Sequence, residues 1–344
     1  MNTDSGARLN FTLEIGRGVA AILVVFHHLL INPLIAHHYS FLGSKPISKI
    51  GDFAVCFFFA LSGYVLTLSI NRKDKGALTF LKERVLRIYP EYILWTLFAY
   101  IYYKISNGLL IDINFEPSSF IEWFSTLTLI PPLFNSENFA MLLSVAWSLV
   151  YEMYFYIVFA LCIFFIKDKI KISVVLTVLF FVLHYLLHAN FKIERYDWVY
   201  IPYVISDFHS LSFSLGCIIF YLKPLSFRTN LVPSAIIVFL LFVLFISREL
   251  FDIEYNFVFF SIIILYISLS IKIHLNKSSF FVFLGGASYT IYLTHVWFSK
   301  VAYKFSYNEN YIYLLITNIV AIFLGCFLYT YVSKPIYRVI KNQF

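Results

Sequence analysis

The chain has 344 residues, 60% of them hydrophobic and 13% charged, with a mean hydropathy of +0.80. That composition excludes a soluble globular domain and describes a polytopic membrane protein. The formal net charge of +7 reads as topology rather than nucleic-acid affinity, because Lys and Arg cluster at alternate ends of the apolar runs.

Ten apolar segments follow one another, at roughly 14–32, 51–70, 89–104, 143–166, 171–189, 201–221, 231–247, 256–272, 280–299 and 311–333. They predict an all-α polytopic membrane helix bundle, one domain over 1–344, with about ten transmembrane helices. No cleavage site of small residues follows the first segment, so it is expected to remain a helix. The third segment is short for a span and is expected to extend. With the N-terminus placed inside, 18 of the 26 Lys and Arg fall in inner loops and 8 in outer ones. Both termini are therefore expected in the cytoplasm. The longest connection, 105–142, falls outside. It carries Asp112, Glu116, Glu122, Glu137 and Pro131-Pro132, with Trp123 and Phe124 as interface anchors. A connection of that length reads as functional or partly structured. Cys56, Cys162, Cys217 and Cys326 lie in apolar stretches and are expected to be free thiols.

The first segment reads Arg17-GVAAILVVFH-His28. Eleven positions at about 100° each complete three turns plus roughly 20°, so the two side chains share one helix face, about 16 Å apart along the axis. An imidazole at that depth is a functional candidate by default. The bland alternative is a histidine bonded to a neighbouring carbonyl. His27 is rotated about 100° away. Other polar residues inside apolar runs are Ser62-Gly63 in FAVCFFFALSGYVLT, Glu152 in LLSVAWSLVYEMYFY, and Ser288, Tyr289, Tyr292 and His295 in FLGGASYTIYLTH. Counted from their segment ends, Ser62, Glu152 and His28 fall near one depth and predict one cavity. Glu152 needs a partner or a proton, and His28 is the expected one; a structural bond from Glu152 to an Arg or Tyr is the alternative. His295, near the end of its segment, is read either as a site residue or as an interfacial side chain. Arg84 and Arg87, three apart in NRKDKGALTFLKERVLRIYP, share a helix face beside the membrane and suit phosphate. Topology signalling and lipid headgroups are the alternative. There is no P-loop, GxGxxG, GxSxG or metal-spaced Cys/His set. The adjacent His37-His38 is a weak metal signal.

Together these stretches resemble the acyltransferase-3 family of integral membrane acyltransferases. The resemblance covers essentially the whole chain and rests on Arg17 with His28, FFFALSGYVLT, ERVLRIYP, WSLVYE and GGASYTIYLTH, in that order. It implies a ten-helix fold that moves acyl groups, often acetyl from acetyl-CoA, to hydroxyls of cell-envelope sugars. Carried over, Arg17 and His28 are the essential pair, Arg84 and Arg87 the cytoplasmic arginine motif, and Glu152 the buried acid. One departure is Ser333-Lys334-Pro335, where the family often has Glu-Lys-Pro. No fused esterase-like domain is expected.

The expected function is an O-acyltransferase of the bacterial inner membrane. Acyl-CoA is its donor, held by Arg84 and Arg87, and an envelope polysaccharide or lipid-linked sugar its acceptor. His28 is expected as base or acyl relay and Glu152 to orient it, with Arg17 near the donor. Ser62, Tyr289 and His295 are expected to line the substrate cavity. No metal and no nucleic-acid partner is expected. Rival readings are a proton-coupled transporter or flippase of a sugar lipid, against which no internal repeat is seen, and a non-catalytic membrane subunit.

Overall fold

A computed structural model describes residues 11–44, 46–108, 111, 113–132, 139–187, 199–222, 253–270 and 279–342. The expected segment 231–247 lies outside them, as do Arg8, Asp112 and Glu137. The described residues are helical almost throughout. In chain order the helices are α1 Phe11–Phe26, α2 Asn32–His37, α3 Ile50–Arg72, α4 Ala77–Ile105, α5 Phe120–Thr128, α6 Trp147–Phe165 and α7 Lys169–Leu187. They continue with α8 Ile201–Ser206, α9 His209–Ile219, α10 Ile253–Ser270, α11 Phe280–Thr294, α12 Ser299–Tyr307, α13 Tyr311–Leu328 and α14 Lys334–Asn342. Among the described residues, five helical stretches are long and apolar enough to cross a membrane: Thr12–His37, Ile47–Arg72, Ser144–Phe165, Lys169–Leu187 and Tyr311–Ile340.

Prolines shape several of these helices. Pro33 has no N–H to give the carbonyl of Leu29, and α1 passes into α2 through a π-helical turn, His27–Ile31. The freed Leu29 carbonyl accepts instead from the Asn318 side-chain amide of α13, at 3.0 Å. A second π turn, Tyr329–Ser333, precedes Pro335 in the same way. The short third segment does extend: α4 runs through Pro90 and takes in Arg84 and Arg87. Segment 201–221 is cut at Asp207 into α8 and α9.

Two glycine contacts fix how closely the helices meet. A Cβ on Gly63 of α3 would lie 2.0 Å from the Phe213 carbonyl, and one on Gly216 of α9 would lie 2.0 Å from that of Ala60. At α1 and α11, a Cβ on Gly285 would lie 2.3 Å from the Glu14 carbonyl. Small residues of this kind let membrane helices associate by backbone contact, where lipid supplies no hydrophobic drive.

The connection 105–142 is not a free outer loop. α5 carries a capping box in which Ser119 and Glu122 satisfy each other's backbone N–H. It packs along α4: Trp123 meets the Tyr100 ring at 4.7 Å, and Tyr92 donates to the Thr126 carbonyl at 2.6 Å. Tyr89 bonds the Thr128 carbonyl. Tyr89 lies 16 residues before the end of α4, about 24 Å along its axis. α5 therefore packs along α4 well below that helix's C-terminal end. Phe139–Leu143, Val145 and Ala146, just ahead of α6, are buried, so α6 begins inside the protein. Irregular backbone at such depth is tolerated only where protein surrounds it. Phe124 is half exposed, whereas Trp123 packs on Tyr100.

Candidate functional site

At the end of the bundle where α1 begins, four charged side chains converge. Arg17 pairs with Glu14 at 3.5 Å, with 23% and 21% of the side chains exposed. Its further electrostatic neighbours are Arg87 and Glu152. Arg87 of α4 faces Tyr156, Glu152, Tyr337 and Glu14, and makes no hydrogen bond among the described residues. Glu152 of α6 accepts from the Tyr156 hydroxyl one turn on. Arg84 lies over the Phe80 ring at 5.7 Å and bonds Glu83 at 3.4 Å, with its Nε unpartnered. Both Arg84 and Arg87 act on Tyr156, as their shared helix face requires. The Arg17–Glu14 pair keeps about a fifth of its side-chain surface exposed. The Arg87 guanidinium, with no hydrogen bond among the described residues, suits an anionic ligand.

Deeper in the bundle, Tyr289 of α11 donates to the Ile88 carbonyl at 3.1 Å and lies near Glu91 and Glu152. Glu91 of α4 accepts from Thr290, from Ser333 at 2.8 Å and from Trp95 at 3.3 Å. Position 333, where the resemblance called for an acid, thus does meet a carboxylate, supplied from α4. Tyr292 shares a 2.7 Å hydrogen bond with Ser148 and has Glu152 and Asp52 as electrostatic neighbours.

Beyond Tyr292 stand three imidazoles. The His28 ring is 4.8 Å from that of His27 and 5.3 Å from that of His295. His295 is fully buried, with Nδ1 against the Ile291 carbonyl at 3.1 Å and Nε2 without a partner. It is no interfacial side chain. His27 lies flat on α3, where a Cβ on Gly51 would approach it to 2.4 Å, and its Nε2 accepts from Asn32 at 3.3 Å.

The expected pairing of His28 with Glu152 does not form. Glu152 belongs with Arg17, Arg87 and Tyr156, because α6 starts inside the bundle and its residues cannot be counted down from a membrane surface. Tyr292 neighbours Glu152 and, at 6.0 Å between rings, His295. Ser62 is half-buried on α3, and the tight contact there belongs to Gly63. His38 bonds the Ser306 carbonyl at 2.6 Å, and His37 sits among the rings of Tyr303 and Tyr307.

Four acidic or basic residues escaped the sequence reading. Asp207 and His209 form a fully buried pair, Oδ1 to Nδ1 at 2.7 Å, with Tyr151 donating to the other carboxylate oxygen at 2.8 Å. Asp52, in the first turn of α3, faces His209, Lys49, Asp207 and Glu254. Glu91 is the fourth. Each is an ionisable residue at or inside an apolar run, and that placement alone was the available signal.

A family model described as an acyltransferase domain, that of the acyltransferase-3 family, matches residues 10–338. No curated protein and no solved structure matches the chain.

Proposed function

From the premise that the chain belongs to the acyltransferase-3 family and is a membrane acyltransferase, we propose that it moves an acetyl group from acetyl-CoA to a hydroxyl of a cell-envelope polysaccharide or lipid-linked sugar, in a bacterial inner membrane. The observation that carries the reading is one line of polar side chains through the bundle. It runs from Arg17, Arg84 and Arg87 past Glu152, Tyr289 and Tyr292 to His28 and His295. The arginine end fits the CoA phosphates on the cytoplasmic side, Arg87 having no hydrogen bond to give up among the described residues. Glu152 and Glu14 keep the paired guanidiniums from repelling one another. At the other end His28 takes the proton of the acceptor hydroxyl. The oxygen attacks the thioester carbonyl carbon, the C–S bond breaks, and the thiolate of CoA recovers the proton from His28.

The test is labelling with radioactive acetate in a deletion strain, with and without the restored gene, followed by envelope fractionation. Label in a saccharide fraction only with the gene restored is the expected result. Equal label in both strains overturns the reading.

A further inference from the structure

We propose that His295 positions His28, by accepting the N–H of one His28 ring nitrogen and so leaving the other as the base. The inference rests on the acyltransferase reading above. His295 begins a single 3₁₀ turn, His295–Phe298, at the end of α11. Its Nδ1 lies 3.1 Å from the Ile291 carbonyl, one helical turn back. A carbonyl only accepts, so Nδ1 carries the proton and Nε2 presents a lone pair. That Nε2 is shut off from solvent and has no partner, an arrangement native interiors rarely leave unused. His28 and His27 are both electrostatic neighbours of His295, and the His28 ring is the one in contact with it, 5.3 Å away. His28 itself makes no hydrogen bond among the described residues.

The remaining groups facing this cluster are His27 and Tyr292; the His27 Nδ1 is also buried without a partner, but its ring stands against His28, at 4.8 Å, and makes no ring contact with His295 among the described residues. The His27 Nε2 is occupied by Asn32, and the Tyr292 hydroxyl by Ser148 and the Val145 carbonyl. Glu152 is engaged with Tyr156. His295 thus stands where an orienting group must stand for a general-base histidine, fixing its tautomer while remaining neutral itself. A small rotation of His28, of the kind that substrate binding brings, closes the contact.

Two measurements test this. The first compares His295→Gln, whose side-chain carbonyl can accept, with His295→Leu, which cannot. Acetyl transfer from radiolabelled acetyl-CoA to the endogenous acceptor is measured in membranes holding equal amounts of each protein. Expected are a loss in kcat of about 10²-fold or more in His295→Leu, an unchanged KM for acetyl-CoA, and recovery of most of that loss in His295→Gln. Equal impairment of the two variants, or a loss confined to KM, overturns the proposal. The second needs only the wild-type fold: ¹⁵N NMR of histidine-labelled protein, with His295→Gln assigning the resonance. A neutral ring protonated at Nδ1 is expected, and one protonated at Nε2 overturns the proposal. Failure of the wild type to bind or turn over acetyl-CoA instead strikes the acyltransferase reading itself.

Discussion

His28 and His27 are neighbours in sequence with different surroundings, and the π turn that holds them explains why. Widened ahead of Pro33, it lets His27 lie on Gly51 of α3 while His28 meets His295 of α11. We therefore expect His28→Ala to abolish acyl transfer and His27→Ala to retain most of it. Envelope acetylation at equal protein amounts is the check, and a larger loss in His27→Ala would reverse the assignment. At the other end, Arg87 has no hydrogen bond within the described protein, whereas Arg84 is held by Glu83 and Phe80. Arg87→Ala is expected to weaken acetyl-CoA binding by at least tenfold, about 1.4 kcal/mol, and more than Arg84→Ala does. Lysine at 87 should rescue only in part, lacking the bidentate fork. Equilibrium binding of labelled acetyl-CoA decides, and wild-type affinity in both alanine variants would leave the arginines a topological role only. Glu152→Gln removes the charge lying between Arg17 and Arg87, so its defect should appear first in donor binding rather than in the chemical step.

Helices here are bent and joined at points where a backbone group lost to proline is recovered by another helix. Asn318 is the clearest case, because its amide caps the carbonyl that Pro33 leaves free. Asn318→Leu strands that carbonyl in a buried place and should destabilise the protein by about 1–3 kcal/mol. Thermal denaturation in detergent is the measurement, and an unchanged midpoint would mean that the carbonyl finds other company. The α3–α9 seam offers a second test. With Cβ positions 2.0 Å from opposing carbonyls, Gly216→Val must push two backbones apart, at about 1–3 kcal/mol or more. If Gly216→Val melts with the wild type, the backbone contact is looser than described. α5 depends on α4 in a different manner, through the hydroxyls of Tyr89 and Tyr92 and the ring of Tyr100. Such non-local contacts cannot be read from the sequence of α5, whose own capping box fixes only where it starts.

For the whole molecule, the charge pattern makes a claim that geometry alone does not test: both termini cytoplasmic. Single cysteines at Lys73, Ser118 and Asn342, all exposed, should label with an impermeant reagent from the inside, the outside and the inside respectively. A cysteine at Thr126, buried against Tyr92, should resist labelling from either side although it lies in the same connection as Ser118. Reversed labelling at Ser118 would turn the orientation over. Sequence alone determined the membrane class, the helical architecture, the family and which polar residues stand in apolar runs, because hydropathy, apolar run length and short motifs are local properties. Only the tertiary structure decided the company each of those residues keeps. Depth counted along Leu143–Phe165 placed Glu152 beside His28, but the buried stretch before Trp147 shifts α6 and hands Glu152 to Arg17 and Arg87. Likewise nothing local in Pro90-Glu91 or in Ser333-Lys334 reveals that the carboxylate of one meets the hydroxyl of the other. An ionisable group buried among helices is satisfied by whichever chain segment packs against it, and that choice belongs to the fold.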